Sequence, residues 1–152
     1  MGCDIHMYVE YKRKDSDRWS YFGKRINPGR NYRIFTNLAS VRGESDNKPK
    51  GMPEDAGYAS RNDNIMYISD VESENSVTRE KANRWVNDGY SKIVDEKWVT
   101  NPDWHSHSWA TIEEMKSALG DSEEPEYRAL IAAMESFRLS GYDVRVVYWF
   151  DN

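Results

Sequence analysis

The run Val144-Arg145-Val146-Val147-Tyr148-Trp149-Phe150 constrains the fold more than any other feature of the chain. It carries a single charge and shows no alternation of polar and apolar residues, the pattern of a strand covered on both faces. An edge strand, or one backed by solvent, would leave every second residue polar. The run therefore predicts the central strand of a sheet, and the remaining residues must supply its neighbours and covering layers.

Those neighbours can be read off. From residue 3 to residue 12 the chain alternates, with Cys3, Ile5, Met7, Val9 and Tyr11 on one side and Asp4, His6, Tyr8, Glu10 and Lys12 on the other. This is a strand with one apolar face. A polar turn at Lys14-Asp15-Ser16-Asp17 leads to a second strand around Trp19 to Phe22, making a hairpin. Asn27-Pro28-Gly29 turns the chain into a short helix carrying Ile34, Phe35, Leu38 and Val41, which Gly43 can end. Ser76 or Thr78 can cap a helix with Ala82, Trp85 and Val86. Thr111-Ile112-Glu113-Glu114 is a capping box opening a helix to Leu119. From Pro125, Tyr127, Leu130, Ile131, Met134 and Phe137 recur at helical spacing as far as Gly141. Short strands are expected at Ile65 to Ile68 and Lys97 to Val99, inside a loop-rich excursion of about residues 44–75 and beyond it. Residues 101–109 are too polar and broken to predict regular structure. The reading is an α+β fold: a single domain over residues 1–152, with a mixed or mainly antiparallel sheet and three to four helices covering one face.

Composition narrows the function classes. Six Trp, ten Tyr and four Phe allow a chain that is only 38% hydrophobic to bury a core. A domain of this length buries about 70% of its unfolded surface and needs neither disulfide nor structural metal. Its single cysteine, Cys3, permits no intrachain disulfide and reads as a small packed hydrophobe on its strand. No run approaches the roughly 18 apolar residues of a membrane helix. The start lacks the basic and apolar regions of a signal peptide, and His6 stands where a myristoylation motif wants Ser or Thr. A cytoplasmic protein with no membrane partner is expected. A net charge of -5 without a basic cluster argues against duplex DNA as a partner, though not against a small anion held by one local basic group.

All three histidines fall in two short stretches, Asp4-Ile5-His6 and Asp103-Trp104-His105-Ser106-His107. On a strand, Asp4 and His6 project from one face roughly 6.6 Å apart, with Glu10 following on that face. If the sheet brings His105 and His107 alongside, the set suits a divalent ion such as Zn or Mn, or acid–base catalysis. A solvent-facing strand and a hydrated His-Ser-His loop explain the same residues. Arg30, Asn31 and Tyr32 precede or open a helix, and Arg42 follows it. Backbone N–H groups there favour anions, and arginine adds a fork for phosphate. Asn31 as a plain cap and Arg42 as a partner of the helix dipole fit that spacing too. Ser106 and Ser108 lie beside His105 but lack the strand–turn–helix elbow of a serine nucleophile.

Several blocks together resemble a family of small proteins from tailed bacteriophages and prophages. They are Gly2-Cys3-Asp4-Ile5-His6 with Glu10; Gly29-Arg30-Asn31-Tyr32 with Phe35, Leu38, Ala39, Val41 and Arg42; Gly51, Pro53 and Asp55; His105-Ser106 with Ser108, Trp109 and Thr111; and Val144 to Asn152. The resemblance leaves out roughly residues 56–100 and brings no assigned activity. It implies a phage origin, a place in the host cytoplasm, and a site drawn from Asp4, His6, Asn31, Tyr32, Arg42, His105, Ser108 and Trp109. His107 falls at a variable position of its block, which favours Asp4, His6 and His105 over a His-x-His pair.

Three functions are expected from these observations. The first is a counter-defence hydrolase of phosphodiesterase type, acting on a phosphate-bearing, nucleotide-like ligand. In it Asp4, His6 and His105 serve as catalytic or metal residues, and Arg30, Asn31, Tyr32, Arg42, Ser108 and Trp109 hold the ligand. The second is a non-catalytic protein that sequesters a host nucleotide signal. The third is an inhibitor of a host defence enzyme that uses the acidic excursion as its interface. Analogy with phage sponges adds a homo-oligomer.

Overall fold

A computed structural model describes residues 2–152; Met1, the first residue of the lipidation motif considered above, lies outside the described residues. The apolar run is β8 (Tyr142–Asp151), and it is flanked on both sides. β1 (Asp4–Arg13) pairs antiparallel with it along ten positions, from Asp4 opposite Asp151 to Arg13 opposite Tyr142. On the other side β7 (Trp104–Ala110) pairs antiparallel, and β2 (Ser20–Tyr21) extends β1 as the predicted hairpin. The sheet order is β2-β1-β8-β7.

Helices cover one face, as expected. α1 (Tyr32–Ala39), α4 (Ile112–Leu119) and α5 (Pro125–Leu139) pack Ile34, Phe35, Met115, Tyr127 and Met134 onto Cys3, Ile5, Met7, Val146, Tyr148 and Phe150. Their starts follow the sequence signals. The Asn31 side chain accepts from the Ile34 N–H, Thr111 and Glu114 form the reciprocal capping box, and Pro125 opens α5. α1 stops at Ser40, ahead of Gly43, where a left-handed residue returns its N–H to the carbonyls of Phe35 and Thr36.

The second face of β8 is covered by residues 44–102, which do more than form an excursion. α2 (Tyr58–Asn62), β3 (Ile65–Ile68), β4 (Ser76–Val77), α3 (Arg79–Asn87), β5 (Ile93–Asp95) and β6 (Trp98–Thr100) build a second, mixed sheet in the order β4-β3-β6-β5. Ile68, Val77, Ala82 and Val99 form its small core. Between the layers, Tyr8, Val147 and Trp149 meet Ala59, Met52, Trp104 and Trp109. The described residues thus form an α+β single domain with two sheets and five helices, four of them seven residues or longer. No helix among the described residues is long and apolar enough to cross a membrane.

One expectation is corrected, and one choice left open by the sequence is decided. Of residues 101–109, read as irregular, 104–109 belong to the strand β7, because the ladder to β8 satisfies their backbone and the second layer lets polar side chains sit on one of their faces. The helix α3 is capped by Thr78, whose hydroxyl accepts from the Lys81 N–H, while Ser76 lies in β4 with its hydroxyl donating to the Val71 carbonyl.

Candidate functional site

The expected Asp4, His6 and His105 set does not assemble. Asp4 is gripped by Arg30, whose Nε and Nη2 donate to its two carboxylate oxygens at 2.7 and 3.2 Å, and that guanidinium holds the Asp4 carboxyl below its ordinary range. His6 turns instead to Asp151, with Nε2 3.2 Å from Oδ2, and its ring lies 5.2 Å from that of Trp104. His105 lies on the helix-covered side of the sheet: it pairs with Phe150, which pairs with Ile5, and its ring stacks on Phe150 at 6.3 Å. Its Nδ1 meets the Ser106 hydroxyl at 2.9 Å, and its Nε2 is buried without a partner among the described residues. His6 and His105 therefore sit on opposite faces of one sheet. No group of three His, Cys, Asp or Glu side chains among the described residues is placed to hold a metal ion.

A β-bulge causes this separation. The register of β7 against β8 slips between His105 and Ser108, and Ser106 takes a left-handed φ of 55°. Strict alternation would put His105 and His107 on one face; the extra residue sends His107 to the other, where its ring stacks on Trp149 at 5.9 Å. Bulges commonly re-aim a side chain in this way beside a site.

The predicted anion residues are engaged in structure. Asn31 caps α1 and also donates to Glu124 at 3.3 Å. The Tyr32 hydroxyl accepts from the Cys3 N–H, and the Arg42 guanidinium lies 5.4 Å from the Tyr32 ring. Ser108 is buried and accepts from the Lys50 N–H at 3.1 Å, which withdraws it from any nucleophilic role. Trp109 packs with the aromatic residues between the layers and carries the Lys50 ammonium 3.9 Å from its ring. Of the predicted residues only Trp109 shares this apolar cluster with Trp104.

What the layers enclose is a cleft of about 880 Å³, against about 320 to 490 Å³ for four others. That volume lies in the range of small-molecule sites, roughly 300 to 1,000 Å³. Trp104 and His107 come to it from β7, Tyr58, Arg61 and Asn62 from α2, Asn64 from the turn after α2, and Tyr90 and Lys92 from the loop before β5. Although the chain has 26 Asp and Glu residues, none lines this cleft. Arg61 and Lys92 have no ion-pair partner among the described residues. Tyr58 and Tyr90 are 69% and 67% exposed, an unusual position for large rings unless something covers them. Burial, with a smaller contribution from His105, pushes the His107 imidazole down to about 4, so the ring is neutral at pH 7.

The wall is fastened from below by a buried charge. Glu10 is fully buried; its Oε2 accepts from the Gly57 N–H at 2.7 Å and from the Ser60 hydroxyl at 2.8 Å. Its Oε1 accepts from Arg145 Nε at 2.9 Å and Nη2 at 2.8 Å. Arg145 continues to Asp55 at 2.9 Å and lies 3.9 Å from the Trp19 ring, whose Nε1 also donates to Asp55. A Cβ on Gly57 would come within 2.6 Å of the Glu10 carboxylate, so only glycine admits this approach.

The sequence carried little signal for the wall residues. Tyr58, Arg61, Asn62 and Asn64 lie in a stretch outside every motif block, and His107 falls at a variable position of its block. No protein-family model, curated protein or solved structure matches this chain.

Proposed function

We propose that the protein binds a small, phosphate-bearing, nucleotide-like ligand in the cleft between its two sheets and holds it without cleaving it. The observation that carries this reading is the make-up of the wall. An acidic chain has kept every carboxylate out of this cleft of about 880 Å³ and placed there Arg61, Lys92, three asparagines and the rings of Trp104, Tyr58 and Tyr90. Cations answer phosphate, carboxamides answer base edges, and aromatic faces stack on bases. The resemblance of the motif blocks to phage proteins makes host nucleotide signals the ligands to try, with sequestration as the purpose.

The test is a thermal-shift and calorimetric screen of nucleoside monophosphates and cyclic dinucleotides, followed by recovery of the ligand after heating the complex. A bound nucleotide is expected to raise the melting temperature, to be recovered intact, and to bind at least about tenfold more weakly to the Arg61→Ala, Lys92→Ala variant. If no nucleotide shifts the melting temperature, the reading is wrong. A hydrolytic version has one observation in its favour, a neutral His107 able to accept a proton. Product in place of intact ligand would decide for it.

A further inference from the structure

We infer that His107 presents the lone pair of its Nδ1 to the cleft and so selects ligands that carry an N–H donor, such as the exocyclic amine of an adenine or cytosine base. This rests on the cleft being the ligand site, and it adds which base edge the site reads.

A chain of fixed partners sets the tautomer of His107. Glu10 holds the Ser60 hydroxyl at 2.8 Å and the neighbouring Gly57 N–H at 2.7 Å, which places this turn of backbone. The Ser60 carbonyl then accepts from Asn64 Nδ2 at 2.7 Å. Turning the carboxamide over would set Oδ1 against that carbonyl, two acceptors at hydrogen-bond distance, so the orientation of Asn64 is decided. Its Oδ1 therefore faces His107 Nε2, 2.5 Å away, and Nε2 must be the donor.

A neutral imidazole with its proton on Nε2 has a bare Nδ1. That nitrogen has no hydrogen-bond partner among the described residues yet keeps contact with solvent, and the residue lines the cleft. It is the ring nitrogen a ligand can reach. Stacking on Trp149 and the bulge at Ser106 hold the ring in place, so the acceptor is preorganised.

Two measurements on the 152-residue chain test this. Nitrogen-15 NMR of the free protein at pH 7 is expected to show His107 protonated on Nε2 and bare on Nδ1. Calorimetry is expected to show adenosine 5′-monophosphate binding about tenfold or more tighter than purine riboside 5′-monophosphate, which lacks the amine, because a donor lost opposite an acceptor costs that much. In His107→Phe the preference should fall to about twofold or less while the cationic wall still binds both. A proton on Nδ1, or equal binding of the two monophosphates to the unaltered chain, overturns the inference and leaves the cleft standing as a nucleotide site. Binding of neither monophosphate overturns both.

Discussion

Replacing Glu10 by glutamine changes one atom and should loosen the whole cleft wall. The carboxylate meets only donors: the Gly57 N–H and Ser60 hydroxyl at one oxygen, two Arg145 nitrogens at the other. Whichever way a carboxamide is turned, its NH2 group faces one of these pairs. One side keeps an acceptor, the other sets donor against donor, and the Arg145 guanidinium, only 9% exposed, loses its buried counter-charge. Breaking a buried pair from one side costs about 3–5 kcal/mol. At about 2–4 °C per kcal/mol for a chain of this size, the melting temperature should fall by about 6–20 °C. Urea denaturation gives the free energy, and amide hydrogen exchange gives the place. Exchange should quicken over residues 55–64, the segment that brings Tyr58, Arg61 and Asn64 to the cleft, and not in α5. A loss below about 1 kcal/mol, or unchanged exchange over residues 55–64, would show that Glu10 does not fasten this wall.

Three further outcomes are expected. Because burial holds His107 at about 4, below its ordinary 6.5, its contribution is complete above pH 6.5 and is lost as pH falls to 4. At about 1.36 kcal/mol for each tenfold change in proton affinity this is about 3 kcal/mol, and denaturation of His107→Phe across that window should show a correspondingly shallower slope. Ser106→Val should destabilise by about 1–2 kcal/mol, since a β-branched residue is strained at positive φ, while Ser106→Gly should be nearly neutral; equal urea midpoints for the two would contradict the bulge. Thr111→Ala should cost about 1 kcal/mol by removing the α4 cap, read from the same urea curves.

Much of the fold was legible because its signals are local. The caps at Asn31 and Thr111, the proline that opens α5 and the helical spacing from Tyr127 to Phe137 act within one or two turns of chain. The weaker elements were not: β4 and β5 have two and three residues, too few for any periodicity to show. The site was hardly legible. Asp4 and His6 do share a strand face, as spacing required, yet each has a partner distant in sequence, Arg30 and Asp151, that spacing cannot reveal.

The sequence by itself determined that β8 is central and covered on both faces, since a run without polar positions is stable only there. It determined too that β1 has one apolar face and that helices start where their caps stand. Only the tertiary structure decided what covers the second face, and with it the burial of Glu10, because a charge in an alternating strand is buried or solvated according to whether Arg145, Ser60 and Gly57 arrive to satisfy it. It also decided which histidine meets the cleft. One extra residue in β7 puts His105 and His107 on opposite faces, and a serine in the left-handed region leaves no sequence mark by which that separation could be read.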